Sequence, residues 1–124
     1  DYQLAPCKVS QALSGNETLV VGDVSFKALY TPGHCNGHLA YLLQEGDRPS
    51  LFSGDLVFAN GRILMEYLPG AEMWQYRQSV IDLAKLNITS IFPGHGAFSL
   101  QFGQDYARMA ADSFSKGHVP PNLL

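Results

Sequence analysis

Thr31-Pro32-Gly33-His34-Cys35-Asn36-Gly37-His38 closes an apolar run, and two shorter turns of the same kind follow it: Ser53-Gly54-Asp55 and Pro93-Gly94-His95-Gly96. Each sits at the exit of a strand-like segment. Histidine and aspartate are the side chains that a borderline divalent cation such as zinc prefers. Glycines beside them allow a sharp turn that sets a side chain beyond a strand end. Singly, each is an ordinary turn histidine or capping aspartate. In succession, His34, Asp55 and His95 form a constellation that points to metal-dependent chemistry.

The segments between the turns read as alternating strands and helices. Thr18–Val21 and Val24–Tyr30 are apolar runs on either side of Gly22-Asp23, a dipeptide suited to a tight hairpin. Residues 38–44 are rich in Leu and Tyr and predict a strand buried on both faces. Residues 51–53 predict a short strand leading into Gly54-Asp55. Residues 56–70, with Asn60-Gly61 and Pro69-Gly70 as turn signals, predict a long loop of the kind that usually carries function. Residues 71–86 have helical periodicity, with Met73, Tyr76, Val80, Leu83 and Leu86 on one face. A β-branched strand over 88–92 ends at Pro93. A second helix over 103–116 is closed by Gly117, before Pro120-Pro121. This order predicts one α/β domain over 1–124, a mixed β-sheet with two helices on one face.

The bulk properties narrow the function classes. At 124 residues, with 46% hydrophobic and 15% charged residues, the chain can bury a sizeable core. The net charge is −3 and the eight Lys and Arg are scattered, which argues against a nucleic-acid partner. No run approaches the ~18 apolar residues that would span a membrane, and no signal-peptide pattern is visible. Cys7 and Cys35 do not make a disulfide framework, so a reducing, cytoplasmic setting is the expectation. The low charge content also suggests association with another chain.

The stretches "TPGHCNGH", "LFSGDLVF" and "IFPGHG" resemble the later motifs of the metallo-β-lactamase-fold hydrolases, over about Thr18 to His95. The resemblance implies the second half of an αββα sandwich. It implies that His34 ligates one metal, His95 a second, and that Asp55 bridges them and orients the attacking water. His38 is then a supporting residue of the first turn. Cys35, where that family usually has Thr, stands next to the ligand as a possible thiolate donor. The implied cofactor is zinc, up to two per complete site, with iron or manganese as alternatives. The implied reaction is hydrolysis of a small-molecule thioester, ester or lactone by hydroxide that the metal generates. Tyr67 and Met65, with Ile63 and Leu68, are expected to line an apolar substrate pocket. His118 matches no motif and reads as a surface residue.

The sequence also departs from that family. No His precedes His34, so the family's His-x-His-x-Asp-His motif is absent. A catalytic zinc typically takes three protein ligands and a water, and neither metal would have that set here. The chain alone is therefore expected to be inactive. Three readings follow: a fragment that lacks its N-terminal half, a natural half-domain that forms a homodimer, or a non-catalytic interaction module with relic ligands. A first residue Asp1 in place of Met favours the fragment.

Overall fold

Gly22-Asp23 turns as a two-residue loop, with Gly22 at a φ of 61°, and pairs β1 (Thr18–Val21) with β2 (Val24–Tyr30) in antiparallel register from Val21 opposite Val24. The computed structural model describes residues 5–66 and 69–124. β3 (Leu39–Leu43) and β4 (Ser50–Gly54) continue the antiparallel run, and β5 (Ser90–Pro93) lies parallel to β4. The five strands stand in chain order across one sheet. The change of sense at β5 requires a crossover, which α1 (Met73–Leu83) provides. α2 (Gly103–Ser115) follows β5. The expected mixed sheet with two helices is thus the observed architecture.

Period-2 alternation divides the sheet into two unlike faces. Ala40, Leu42, Leu51 and Ile91 point towards Tyr76, Val80 and Leu83 of α1 and towards Ala107, Ala110 and Phe114 of α2. That layer is the core. On the other face Phe26, Phe52, Phe92 and Phe98 form a chain of ring contacts, with centroids 5.8, 5.1 and 5.7 Å apart. Phe52 is 37% and Phe98 62% exposed. β3 is consequently not buried on both faces as its composition predicts: only Ala40 is fully covered, and its other residues are half-buried.

Three local expectations shift. α1 is shorter than the periodic segment. Glu72 stands at its N-cap without a side-chain cap bond, and Met73 is 36% exposed. The buried position on that stripe goes to Ser79, whose hydroxyl donates to the Pro32 carbonyl at 2.7 Å. The long connection after Asp55 is largely core and not pocket lining. Leu56, Val57, Phe58 and Ile63 are buried around a 3₁₀ turn at Ala59–Gly61, and Met65 packs against the core. α2 ends as anticipated at Gly117, φ 79°. The Gly117 N–H donates to Phe114 O and the His118 N–H to Ser113 O, the paired bonds of a Schellman cap.

The sheet topology also decides where the three turns go. β2, β4 and β5 run in the same direction, so their C-terminal ends lie along one edge, and His38 enters β3 from that edge. Gly33 has a φ of +136°, and a β-carbon there would overlap the Tyr76 backbone. Gly33→Ala is expected to cost about 2–4 kcal/mol, because it adds backbone strain to an overlap that a packed helix cannot relieve. The measurement is the urea midpoint, and a midpoint equal to that of the parent would show that α1 does not press on this turn.

Candidate metal centre

β2, β4 and β5 deliver His34, Asp55 and His95 to a common cleft at the shared edge. The His34 Nε2 lies 3.6 Å from Asp55 Oδ2, and the His95 Nε2 lies 3.5 Å from Asp55 Oδ1. Both distances are too long for hydrogen bonds of useful strength. Asp55 Oδ1 is buried and accepts no hydrogen bond. The sequence-predicted trio is therefore brought together, with one carboxylate oxygen facing each imidazole.

The orientation of each ring follows from its other nitrogen. His34 Nδ1 lies 2.8 Å from the Leu64 carbonyl. A carbonyl only accepts, so Nδ1 carries the proton and the lone pair of the neutral ring is on Nε2, the atom turned to Asp55. The His34 side chain is 11% exposed, whereas that of His95 is 62% exposed.

His38 holds the Asp55 turn from behind. Its Nε2 accepts from the Asp55 backbone N–H at 3.1 Å, so its Nδ1 donates to Thr31 Oγ1 at 2.8 Å. Burial pushes the His38 imidazole below its ordinary range, and His34 beside it acts in the same direction. A neutral ring is the form that can accept at Nε2. Close approach requires glycine here: a β-carbon on Gly54, φ 53°, would stand 2.6 Å from His38 Nε2. Gly94 is constrained likewise, since its β-carbon would fall 2.5 Å from Asp55 Oδ1. Its N–H donates to Gly54 O at 2.8 Å, just where the β4–β5 register shifts.

Tyr76 joins these pieces and was placed by the sequence only as a core residue of α1. Its fully buried hydroxyl accepts from the Leu64 N–H at 3.0 Å. It donates towards the Leu56 and Asp55 carbonyls at 2.6 and 2.8 Å. Burial raises the phenol well above its ordinary value, so it stays protonated. The sequence signal available for it was a polar-tipped aromatic on an otherwise aliphatic stripe.

The remaining candidates are placed as follows. Cys35 is a half-buried free thiol, and its carbonyl accepts from the N–H groups of Gly33 and His38. His118 is exposed. Tyr67 and Leu68 lie outside the described residues. Glu66 and Leu64, not singled out from sequence, line the cleft with the trio.

The donor chemistry fits divalent cations. An unpartnered buried carboxylate oxygen and two imidazole nitrogens converge on one space, where a buried charge needs compensation. On either side of Asp55 the set offers one imidazole and one carboxylate oxygen. Among the described residues, no three such side chains surround a single cation position.

The sequence matches the metallo-beta-lactamase superfamily over residues 9–95. It is 32% identical over 86% of its length to thioesterase pkgB of Emericella nidulans, covering 29% of that protein. It is 31% identical over 69% of its length to a cytoplasmic hydroxyacylglutathione hydrolase of Arabidopsis thaliana, covering 34% of it. The chain thus spans about three tenths of the length of the curated relatives it matches. In fold it resembles a metallo-beta-lactamase family protein from Thermus thermophilus, with a TM-score of 0.72 at 22% identity over 90% of this chain and 37% of that one. It also resembles TTHA1623, solved in a di-iron-bound form, with a TM-score of 0.65 at 32% identity over 81% of this chain and 47% of that one.

Tyr76→Phe keeps the ring and removes the bonds. The buried Leu64 N–H and Leu56 carbonyl then lose their partner, at an expected cost of about 1–3 kcal/mol. Hydrogen exchange at the Leu64 amide should accelerate roughly tenfold or more as that corner opens. An unchanged exchange rate would mean that the hydroxyl does not tie α1 to the cleft.

Proposed function

This chain belongs to the metallo-beta-lactamase superfamily, and from that premise we propose that it supplies metal ligands of a hydrolase acting on a thioester, ester or lactone. The observation that carries the reading is the Asp55 carboxylate. Its oxygens face the Nε2 atoms of His34 and His95 at 3.6 and 3.5 Å, and its Oδ1 is buried without a partner. In this reading His34 and Asp55 hold one cation, and Asp55 and His95 a second. Zinc suits imidazole and carboxylate donors, as do iron and manganese. A bound cation would lower the pKa of a water towards ~7 and polarise the substrate carbonyl.

The chain's own residues do the positioning. Leu64 fixes the His34 tautomer, so that the lone pair faces the cleft at no reorganisation cost. His38 pins the Asp55 backbone, and Tyr76 pins the carbonyls after it. Asp55 thereby keeps its two oxygens directed at different imidazoles. The naming of relatives as a thioesterase and as a hydroxyacylglutathione hydrolase supports a hydrolytic reaction at an acyl carbonyl. With two donors from these residues per cation, the remaining ligands come from elsewhere in the protein or from a partner copy.

A second reading has a specific observation behind it. The exposed Phe52 and Phe98 on the outer face suit a half-domain that dimerises and keeps its ligands as relics. Zinc titration by calorimetry separates the two. The hydrolase reading expects zinc binding that falls at least ~10-fold in His34→Ala and His95→Ala, and further in Asp55→Asn. In a complete site, with the remaining ligands supplied by the rest of the protein or by a partner copy, release of thiol from an acyl thioester should drop about 100-fold or more in the same variants and on chelation. A protein that binds no zinc, or variants that keep parental rates, would end this reading in favour of the second.

A further inference from the structure

The segment after α2 returns to the cleft and lies beside the connection that follows Asp55. The Ile63 N–H donates to Pro121 O at 3.1 Å and the Leu123 N–H to Ile63 O at 2.8 Å, a parallel bridge centred on Ile63 and Asn122. Asn122 Nδ2 donates to Met65 O at 2.9 Å, and Arg62 Nη1 donates to Asn122 O at 3.3 Å. These four bonds fix the backbone of a strap whose Leu123 side chain lines the cleft of about 330 Å³ that holds the trio, while Leu124, 86% exposed, stands at its mouth. Leu123 Cδ1 reaches to 3.9 Å from where a β-carbon on Gly96 would stand, so it spans from the connection to the His95 turn.

The cleft therefore has unlike sides. Leu64 and Leu123 make an apolar wall, His34, Asp55 and His95 a polar floor, and Glu66 adds a carboxylate that the floor does not use. Seating an aliphatic group against leucine side chains is favourable in proportion to the apolar surface covered. A second carboxylate brought beside Glu66 would meet like charge in a partly desolvated space.

We propose that this cleft selects the acyl group: the leucine wall seats an uncharged, apolar acyl chain, and Glu66 excludes acyl groups that bear a carboxylate. The proposal deepens the hydrolase reading and rests on it for the identity of the polar floor. Leu123 and Glu66 are specificity residues in this scheme and hold no metal.

The test uses two N-acetylcysteamine thioesters that differ at one end, hexanoyl and adipoyl, together with their non-hydrolysable ketones, in which a methylene separates the carbonyl from sulfur. Calorimetry on the zinc-loaded full chain should find the hexanoyl ketone bound at least ~10-fold tighter than the adipoyl ketone. Leu123→Ala should weaken the hexanoyl ketone roughly fivefold and leave the zinc affinity unchanged. Leu123→Met, which conserves volume, should stay within about twofold of the parent and so controls for loss of the strap. Glu66→Gln should tighten the adipoyl ketone about fivefold or more and leave the hexanoyl ketone unchanged. Equal binding of the two ketones, binding of neither, or a ratio unmoved by both Leu123→Ala and Glu66→Gln overturns the proposal. Ketone discrimination that removal of zinc leaves unchanged would reject the hydrolase reading and leave the selectivity standing. Hydrolysis of both thioesters with equal ketone affinities would do the reverse.

Discussion

The hydroxyl of Tyr76 is the point on which the site depends. It is fully buried, so each polar group it meets must find its partner there or go without. Through it the helix α1 is tied to the Leu64 N–H on one side and to the Leu56 and Asp55 carbonyls on the other. The Leu64 carbonyl, one peptide on, accepts from His34 Nδ1. Helix, carboxylate turn and first imidazole thus form one connected network, in which no member can rotate without stranding another. The closeness of α1 to Gly33 belongs to the same constraint, because the phenol reaches both partners only if the helix backbone lies against the turn.

The sheet supplies the second constraint. Antiparallel neighbours send alternate strand ends to opposite edges, so a simple meander would scatter the turns after β4 and β5. The parallel placement of β5 brings its end beside that of β4, and the hairpin order brings the end of β2 to the same edge. The register shift after Phe52 then lets Gly94 donate to Gly54 and lie against Asp55. A side chain at position 94 would occupy the space that one carboxylate oxygen uses. The glycines of the turns do two jobs: Gly33 and Gly54 adopt φ values that other residues resist, and Gly94 leaves room.

Local pattern was enough to place the strands, the Gly22-Asp23 hairpin, both helices and the strand exits that carry His34, Asp55 and His95. Those features rest on periods of two and 3.6 residues and on turn chemistry within a few positions. What local pattern misjudged was contact across the chain. Residues 56–66 carry turn signals and read as an exposed pocket loop, yet Val57, Phe58 and Ile63 are core, because α2 and the strap from Pro121 cover them. Met73 falls on the apolar stripe but is 36% exposed at the start of α1, while Ser79 is tolerated inside because Pro32 O accepts its hydrogen bond. Glu66 and Leu123 carry no motif at all. They enter the cleft through bonds between residues nearly sixty positions apart.

Two features of the structure oppose stability for the isolated fold, and they share a cause. The outer aromatic face leaves Phe52 and Phe98 partly in water, where their burial would be favourable by about 1.5–3 kcal/mol each. The Asp55 Oδ1 is the converse case, a charged atom removed from water without a partner. An autonomous domain selected for stability alone would bury the first and solvate the second. Both arrangements become favourable when something further is supplied, apolar cover on the outer face and positive charge at the shared edge. The edge and the face adjoin along β4 and β5, where Phe52 and Phe92 precede the Asp55 and His95 turns by three residues each. A cover seated on the aromatic ladder would therefore end beside the cleft, where it could contribute to the donors that each cation still needs.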